Sequence, residues 1–174
     1  LLDQRKTWLI TGAAGFIGSN ICEFLLKNNQ KVIAIDNFAT GFKQNINFLE
    51  NQQGIAKENF VFHDIAIESK DLDPKLFAEA DYVLHQAALG SVPRSIVDPV
   101  SSCNANIHGF VNVMKKAVEN DISAFVFASS SSVYGDIDAV TKTENELGKP
   151  LSPYALTKKI NEDYSEMFSK IYGF

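Results

Sequence analysis

The sequence predicts a doubly wound α/β domain, a parallel sheet with helices on both faces. Three observations carry that prediction. Short β-branched, apolar stretches alternate with stretches of helical period along the chain. Glycines spaced three apart, Gly12, Gly15 and Gly18, directly follow the first apolar stretch. The β-α-β unit then repeats, and repeated units of this kind need parallel strands joined by crossovers. The expected strand order is 3-2-1-4-5, with a ligand beyond the carboxyl ends of the strands.

Taken in order, Thr7 to Ile10 reads as a short buried strand. Phe16 to Asn28 reads as a helix with Ile17, Ile21, Phe24 and Leu25 on one face. Lys31 to Ile35, Asn59 to Phe62, Asp81 to His85 and Ala124 to Ala128 read as the next four strands. Pro74 to Ala80 is a short helical stretch, and a long helix is expected from about Pro99 to Glu119. The last helix begins near Pro153, where a missing N–H costs nothing, with Ser152 as its cap.

Composition narrows the function. The 174 residues are 45% hydrophobic and 21% charged, which suits one globular domain with a core and argues against disorder. The net charge of −5 argues against a nucleic-acid or anionic membrane surface. No apolar run approaches the roughly 20 residues of a membrane span. No signal peptide is read in Leu1 to Lys6, so a cytoplasmic protein is expected. Cys22 and Cys103 fall in predicted helices without metal-ligand spacing. Two buried thiols and no metal site are expected.

The glycine segment lies between the first strand and the first helix. Gly12 allows a tight turn, Gly15 lets the backbone approach a pyrophosphate resting on the helix start, and Gly18 lets helix and sheet pack closely. The spacing is GxxGxxG rather than GxGxxG, and the strand-before, helix-after context gives it meaning. The second strand ends in Asp36, whose carboxylate suits adenosine ribose hydroxyls and would repel a 2′-phosphate. No Arg or Lys lies between Asp36 and Gly41, so NAD is expected rather than NADP. Asp64, before Ile65, is placed to reach the adenine amino group or to serve as a turn residue. Gln86-Ala87-Ala88 offers small side chains along which a cofactor can lie. His85 reads as a packed strand residue, and His63 and His108 show no partner pattern.

Tyr154 and Lys158 stand one helical turn apart, about 25 residues beyond the fifth strand. That strand runs into the four serines Ser129 to Ser132. A serine hydroxyl and a tyrosine there can meet over a nicotinamide. A phenol of pKa about 10 is a poor base, and a neighbouring ammonium and a positive nicotinamide both favour the phenolate. Tyr154 is therefore the candidate base, Ser130 the group bridging it to a substrate hydroxyl, and Lys158 the charge that also holds the nicotinamide ribose. Four consecutive serines leave the serine open by one position.

These motifs resemble the extended short-chain dehydrogenases/reductases, with their Rossmann-type fold. The resemblance rests on Gly12-x-x-Gly15-x-x-Gly18, Asp36-Asn37, the serines before Val133-Tyr134-Gly135, and Tyr154-x-x-x-Lys158. Ala88 to Ser95 and Lys149 to Ala155 are similar to bacterial UDP-N-acetylhexosamine 4-epimerases of surface-polysaccharide synthesis. The resemblance implies NAD held by Gly12, Gly15, Phe16, Ile17, Gly18, Asp36, Asn37, Thr40, Gly41, Asp64, Ile65, Gln86, Ala87, Ala88, Asn106, Tyr154 and Lys158. It implies a UDP-sugar substrate met by Gly90, Ser91, Ser130, Ser131, Ser132 and Tyr154. Asn106 would steady the strand ends, and Arg94 would either anchor its loop or touch substrate. It further implies 4-epimerisation through a 4-keto sugar with transient use of NAD.

In related 4,6-dehydratases the segment before Val-Tyr resembles Thr-Asp-Glu. Here Ser130-Ser131-Ser132 lacks those proton carriers, and the decarboxylases' Glu is replaced by Ser132. Epimerisation and simple reduction remain. Family members continue for roughly another 150 residues, the size of a second domain. Residues 1–174 are accordingly expected to be the NAD-binding domain of a longer enzyme, binding NAD but epimerising poorly alone. Rival readings are a UDP-N-acetylglucosaminuronate 4-epimerase, a nucleotide-sugar reductase and a non-catalytic NAD-binding regulator. The family also implies a homodimer built through the helices from Pro99 and Pro153. Val111, Met114 and Val118 serve either that contact or the sheet.

Overall fold

The computed structural model describes residues 2–54 and 56–174. Five strands form one sheet: β1 (Thr7–Thr11), β2 (Lys31–Asp36), β3 (Phe60–Asp64), β4 (Tyr82–His85) and β5 (Ala124–Phe127). Their order is β3-β2-β1-β4-β5 and every pairing is parallel. The direction of winding reverses between β1 and β4, so the doubly wound order expected from the sequence is found. β1 and β2 are buried along nearly their whole length, as strands covered on both faces must be.

The helices are α1 (Phe16–Lys27), α2 (Lys43–Glu50), α3 (Lys75–Ala78), α4 (Val92–Val97), α5 (Pro99–Cys103), α6 (Gly109–Glu119) and α7 (Pro153–Tyr172). The long helix expected from Pro99 is interrupted: a π-helical turn at Asn104–His108 joins α5 to α6. α2 and α4 were not legible in sequence, because eight and six residues offer too few apolar anchors to show a period. α7 begins at Pro153, and the Ser152 hydroxyl accepts the Ala155 N–H at 3.1 Å.

The chain forms two compact units. The first comprises the chain up to Ala87 together with Asn112–Phe127, and so contains the whole sheet. Its core packs Ile10, Ala13, Cys22, Leu25 and Leu26 against Val32, Ala34, Ile46 and Leu49. Gln30, nearly fully buried, accepts the Trp8 indole N–H at 3.2 Å and the Lys6 N–H at 2.9 Å. The second unit comprises Ala88–Val111 and Ala128–Phe174, with α4, α5, the π turn and α7.

Two sequence expectations need correction. The inward face of α1 is Gly18, Cys22, Leu25 and Leu26, while Ile17 and Phe24 are exposed. Of the expected face, Leu25 is buried and Ile21 partly buried; Gly18 lies so close to the Gly12 carbonyl that a Cβ would overlap it, which puts Gly18 rather than Ile17 on the inward side. Cys22 is buried, and burial pushes its thiol pKa up, but Cys103 is exposed. Cys103 lines an open apolar groove with Val100, Ile107 and Tyr164 instead of entering the core. Met114 is buried, whereas Val111 borders that groove and Val118 is half-buried.

Candidate active site

In the first unit, the ends of β1 and β4 lie side by side where the strand order reverses. The Thr11 hydroxyl pairs with His85 Nδ1 at 2.9 Å and accepts the Ala87 N–H at 3.2 Å. His85 is thus the packed strand residue expected, 2% exposed. Gly12 has φ +72°, and a Cβ there would stand 2.6 Å from the Ala87 nitrogen, so only glycine lets the turn lie against Gln86-Ala87.

The glycine loop has the form of a cradle. Gly15 is the N-cap of α1 and no side chain caps the helix, leaving the amides of Phe16 and Ile17 at its first positions without an intrahelical acceptor. A Cβ on Gly15 would meet only the Gly12 carbonyl, at 3.3 Å, and would otherwise fill space at the helix start. Backbone donors on open space at a helix N-terminus of 12 residues suit a pyrophosphate.

Asp36 is held in place by that loop. Its Oδ2 accepts the Ala14 N–H at 3.0 Å and its Oδ1 the Phe38 N–H at 2.7 Å. Each carboxylate oxygen retains a lone pair for a ribose hydroxyl. Asp64 stands in register beside Asp36 and is exposed; Ile65 N–H donates to the Asp36 carbonyl at 3.0 Å. Asn37 and Thr40 are exposed, and the Asn37 side chain accepts the Ala39 N–H at 3.0 Å. Gly41 lies so close to Ala14 that a Cβ would come within 2.6 Å of the alanine methyl.

The second unit holds Ser130, Tyr154 and Lys158, the residues expected from the sequence to move a proton. Lys158 is 3% exposed, and its ammonium donates to the Ala128 carbonyl at 2.8 Å. Burial pulls its pKa down to about 8. Ser130 caps the short turn Ser131–Tyr134, its Oγ accepting the Ser132 N–H at 3.2 Å, so its own proton is available to donate. Ser131 is exposed and Ser132 half-buried. Gly90 lies beside the phenol: a Cβ on it would stand 4.0 Å from the Tyr154 Oη, in ordinary contact. Ser91 is the N-cap of α4, its Oγ accepting the Arg94 N–H at 3.2 Å and keeping its own proton to donate, and Arg94 is exposed.

The family model described as GDP-mannose 4,6 dehydratase matches residues 9–174. The chain belongs to that family, among the extended short-chain dehydrogenases/reductases. It is 41% identical over 167 residues to a Methanocaldococcus jannaschii protein named "Putative UDP-glucose 4-epimerase", covering 95% of this chain and 52% of the relative. The solved UDP-N-acetylglucosamine 4-epimerase from Methanobrevibacter ruminantium, in complex with UDP-N-acetylmuramic acid, superposes with TM-score 0.89 at 34% identity; 98% of this chain and 53% of that one are covered. The Thermus thermophilus UDP-glucose 4-epimerase in complex with NAD gives TM-score 0.84 at 32% identity, covering 97% and 52%. The chain spans about half the length of the curated relatives it matches.

Asn106, named from the resemblance, is firmly bonded within its own unit, while Thr157 and Ser95 escaped sequence reasoning. Asn106 is 1% exposed; its Oδ1 accepts the Leu89 N–H at 2.7 Å, and its Nδ2 donates to the Leu89 carbonyl at 3.3 Å and to Thr157 Oγ1 at 3.2 Å. Its role is thus seen on the 88–90 loop, within its own unit. Thr157 and Ser95, both buried, bond to the backbone of Tyr154. Ser129 donates to Glu162 on α7. A hydroxyl next to the lysine, at Thr157, was the one available signal; nothing in the sequence marks Ser95. Among the described residues no cluster of three or more His, Cys, Asp or Glu could hold a metal, and no helix is long and apolar enough to cross a membrane.

Proposed function

We propose that this chain is the NAD-binding, base-carrying part of a nucleotide-sugar 4-epimerase, acting on UDP-N-acetylhexosamines in surface-polysaccharide synthesis. The observation that carries the reading is the second unit's arrangement. Tyr154 stands beside a side-chain-free Gly90, one turn from a buried Lys158, and the serine segment brings no carboxylate. The likeness to the Methanobrevibacter enzyme, 34% identical over nearly the whole chain, supports the N-acetylhexosamine. The NAD complex of the Thermus relative supports the cofactor.

The first unit binds the adenosine diphosphate end of NAD. The amides at the start of α1 meet the pyrophosphate, and Asp36 meets the ribose. Bound NAD supplies the reversible hydride acceptor that the sugar C4 needs. Tyr154 takes the proton of the C4 hydroxyl as that carbon is oxidised to a ketone, and returns it when the ketone is reduced on its other face. Ser130 donates to the same oxygen and holds it against the phenol. Lys158 keeps positive charge beside the phenolate and lies where burial strengthens its field. Net oxidation and net proton uptake are both zero. The segment 129–132 has no Asp or Glu to carry the protons of an elimination, which favours epimerisation over dehydration.

We also propose that the apolar groove of Pro99, Val100, Cys103, Ile107, Val111 and Tyr164 takes a second copy of the chain. Val100 is 76% exposed there.

Calorimetry with NAD, followed by incubation with UDP-N-acetylglucosamine, tests the reading. Bound NAD is expected, with only slow formation of the 4-epimer by these 174 residues alone and no accumulation of reduced cofactor. Stoichiometric oxidation of added reduced cofactor would make the protein a reductase. Failure of well-folded protein to bind NAD would remove the basis of the proposal.

A further inference from the structure

Tyr154 is held by its backbone from both sides. It is the second residue of α7, where the N–H has no acceptor within its own helix. The Ser152 cap does not serve it, because that hydroxyl takes the Ala155 N–H. Ser95 of α4 supplies the acceptor instead, its Oγ receiving the Tyr154 N–H at 3.0 Å. The same hydroxyl donates its proton to the Val92 carbonyl at 2.8 Å, and Ser95 is 0% exposed. On the other side, Thr157 Oγ1 donates to the Tyr154 carbonyl at 2.7 Å.

Ser95 has a second connection. It is the fourth of the six residues of α4, a helix that starts at Val92 and is capped by Ser91, the residue after Gly90. One short helix therefore joins the Gly90-Ser91 loop to the first turn of α7. First turns fray most readily, and an external acceptor at this amide holds the turn closed. The direction of the Tyr154 Cα–Cβ bond, and with it the place of the phenol oxygen, follows from that closure.

We propose that Ser95 is a positioning residue for the reaction, fixing the Tyr154 phenol relative to the Gly90-Ser91 loop through its single buried hydroxyl. The proposal rests on the reading of Tyr154 as the base. Ser95 touches no reacting atom; it acts through Tyr154. Rates fall steeply when a reacting group is misplaced by even an ångström.

The test uses the whole chain labelled with 13C at tyrosine Cζ. Comparison with Tyr154→Phe identifies the Tyr154 signal among the five tyrosines. In Ser95→Ala that signal is expected to shift and broaden, with the other tyrosine signals and NAD affinity unchanged. Ser95→Thr, which keeps the hydroxyl, restores the signal. In turnover, Ser95→Ala lowers kcat by between about tenfold and a hundredfold at unchanged KM. A Tyr154 signal superimposable on that of the unsubstituted chain, or one displaced equally in Ser95→Ala and Ser95→Thr, overturns the proposal. NAD titration of the unsubstituted chain is the separate readout for the function itself, so the two failures are told apart.

Discussion

The Lys158 ammonium donates to the Ala128 carbonyl at 2.8 Å, joining α7, which carries Tyr154, to the residue just before the four serines. The lysine is almost fully buried, and burial lowers its pKa from the usual 10.5 to about 8. Below about pH 8 folded and unfolded chains both carry the proton, and the folded state bears the cost of a buried charge. Between about 8 and 10.5 the unfolded chain still holds the proton and the folded chain does not. This group's contribution to stability therefore rises with pH across that window, by about 3 kcal/mol in total. Urea unfolding of Lys158→Met, subtracted from that of the unsubstituted chain across the window, should isolate this slope. A flat difference would show the ammonium to be solvated.

Asn106 satisfies both backbone polar groups of Leu89, the residue directly after the Gln86-Ala87-Ala88 segment. Asn106→Leu keeps the volume but strands those groups, while the Thr157 hydroxyl keeps its bond to the Tyr154 carbonyl. A loss of about 1–3 kcal/mol in unfolding free energy is expected. Asn106→Asp keeps the acceptor for the Leu89 N–H but buries a carboxylate against the Leu89 carbonyl, and urea unfolding should show a loss at least as large.

Gly18 stands against the Gly12 carbonyl, where a Cβ would overlap it. Gly18→Ala must push α1 away from the loop, at a cost of about 1–3 kcal/mol typical of overpacking. NAD affinity should fall by about tenfold, equivalent to about 1.4 kcal/mol, as the amides at the start of α1 move. Calorimetry and urea unfolding read the two effects separately. Unchanged affinity in a folded variant would place the pyrophosphate elsewhere.

Tyr154→Phe removes one oxygen and leaves the backbone bonds to Ser95 and Thr157 in place. NAD binding should persist while epimerisation falls by about a hundredfold to ten-thousandfold, the usual worth of a general base. Activity retained by this variant would assign the proton transfer to another group.

What the sequence alone determined is the strand order and the identity of the chemical groups. Both are written in short-range patterns: the alternation of apolar periods, the glycine triplet with Asp36 after it, and Tyr154 one turn from Lys158. The tertiary structure decided what depends on contacts between distant segments. Apolar period chose Ile17 and Phe24 for the buried face of α1, yet Gly18, close against the Gly12 carbonyl, takes the inward side and both are exposed. Cys103 looked like a core thiol and lies on an open groove lined from α5, the π turn and α6 and, far along the sequence, from α7. Ser95 and Tyr154 are 59 residues apart in the chain and bonded in space. A hydroxyl's partner is set by where folding brings it, and no local spacing records that.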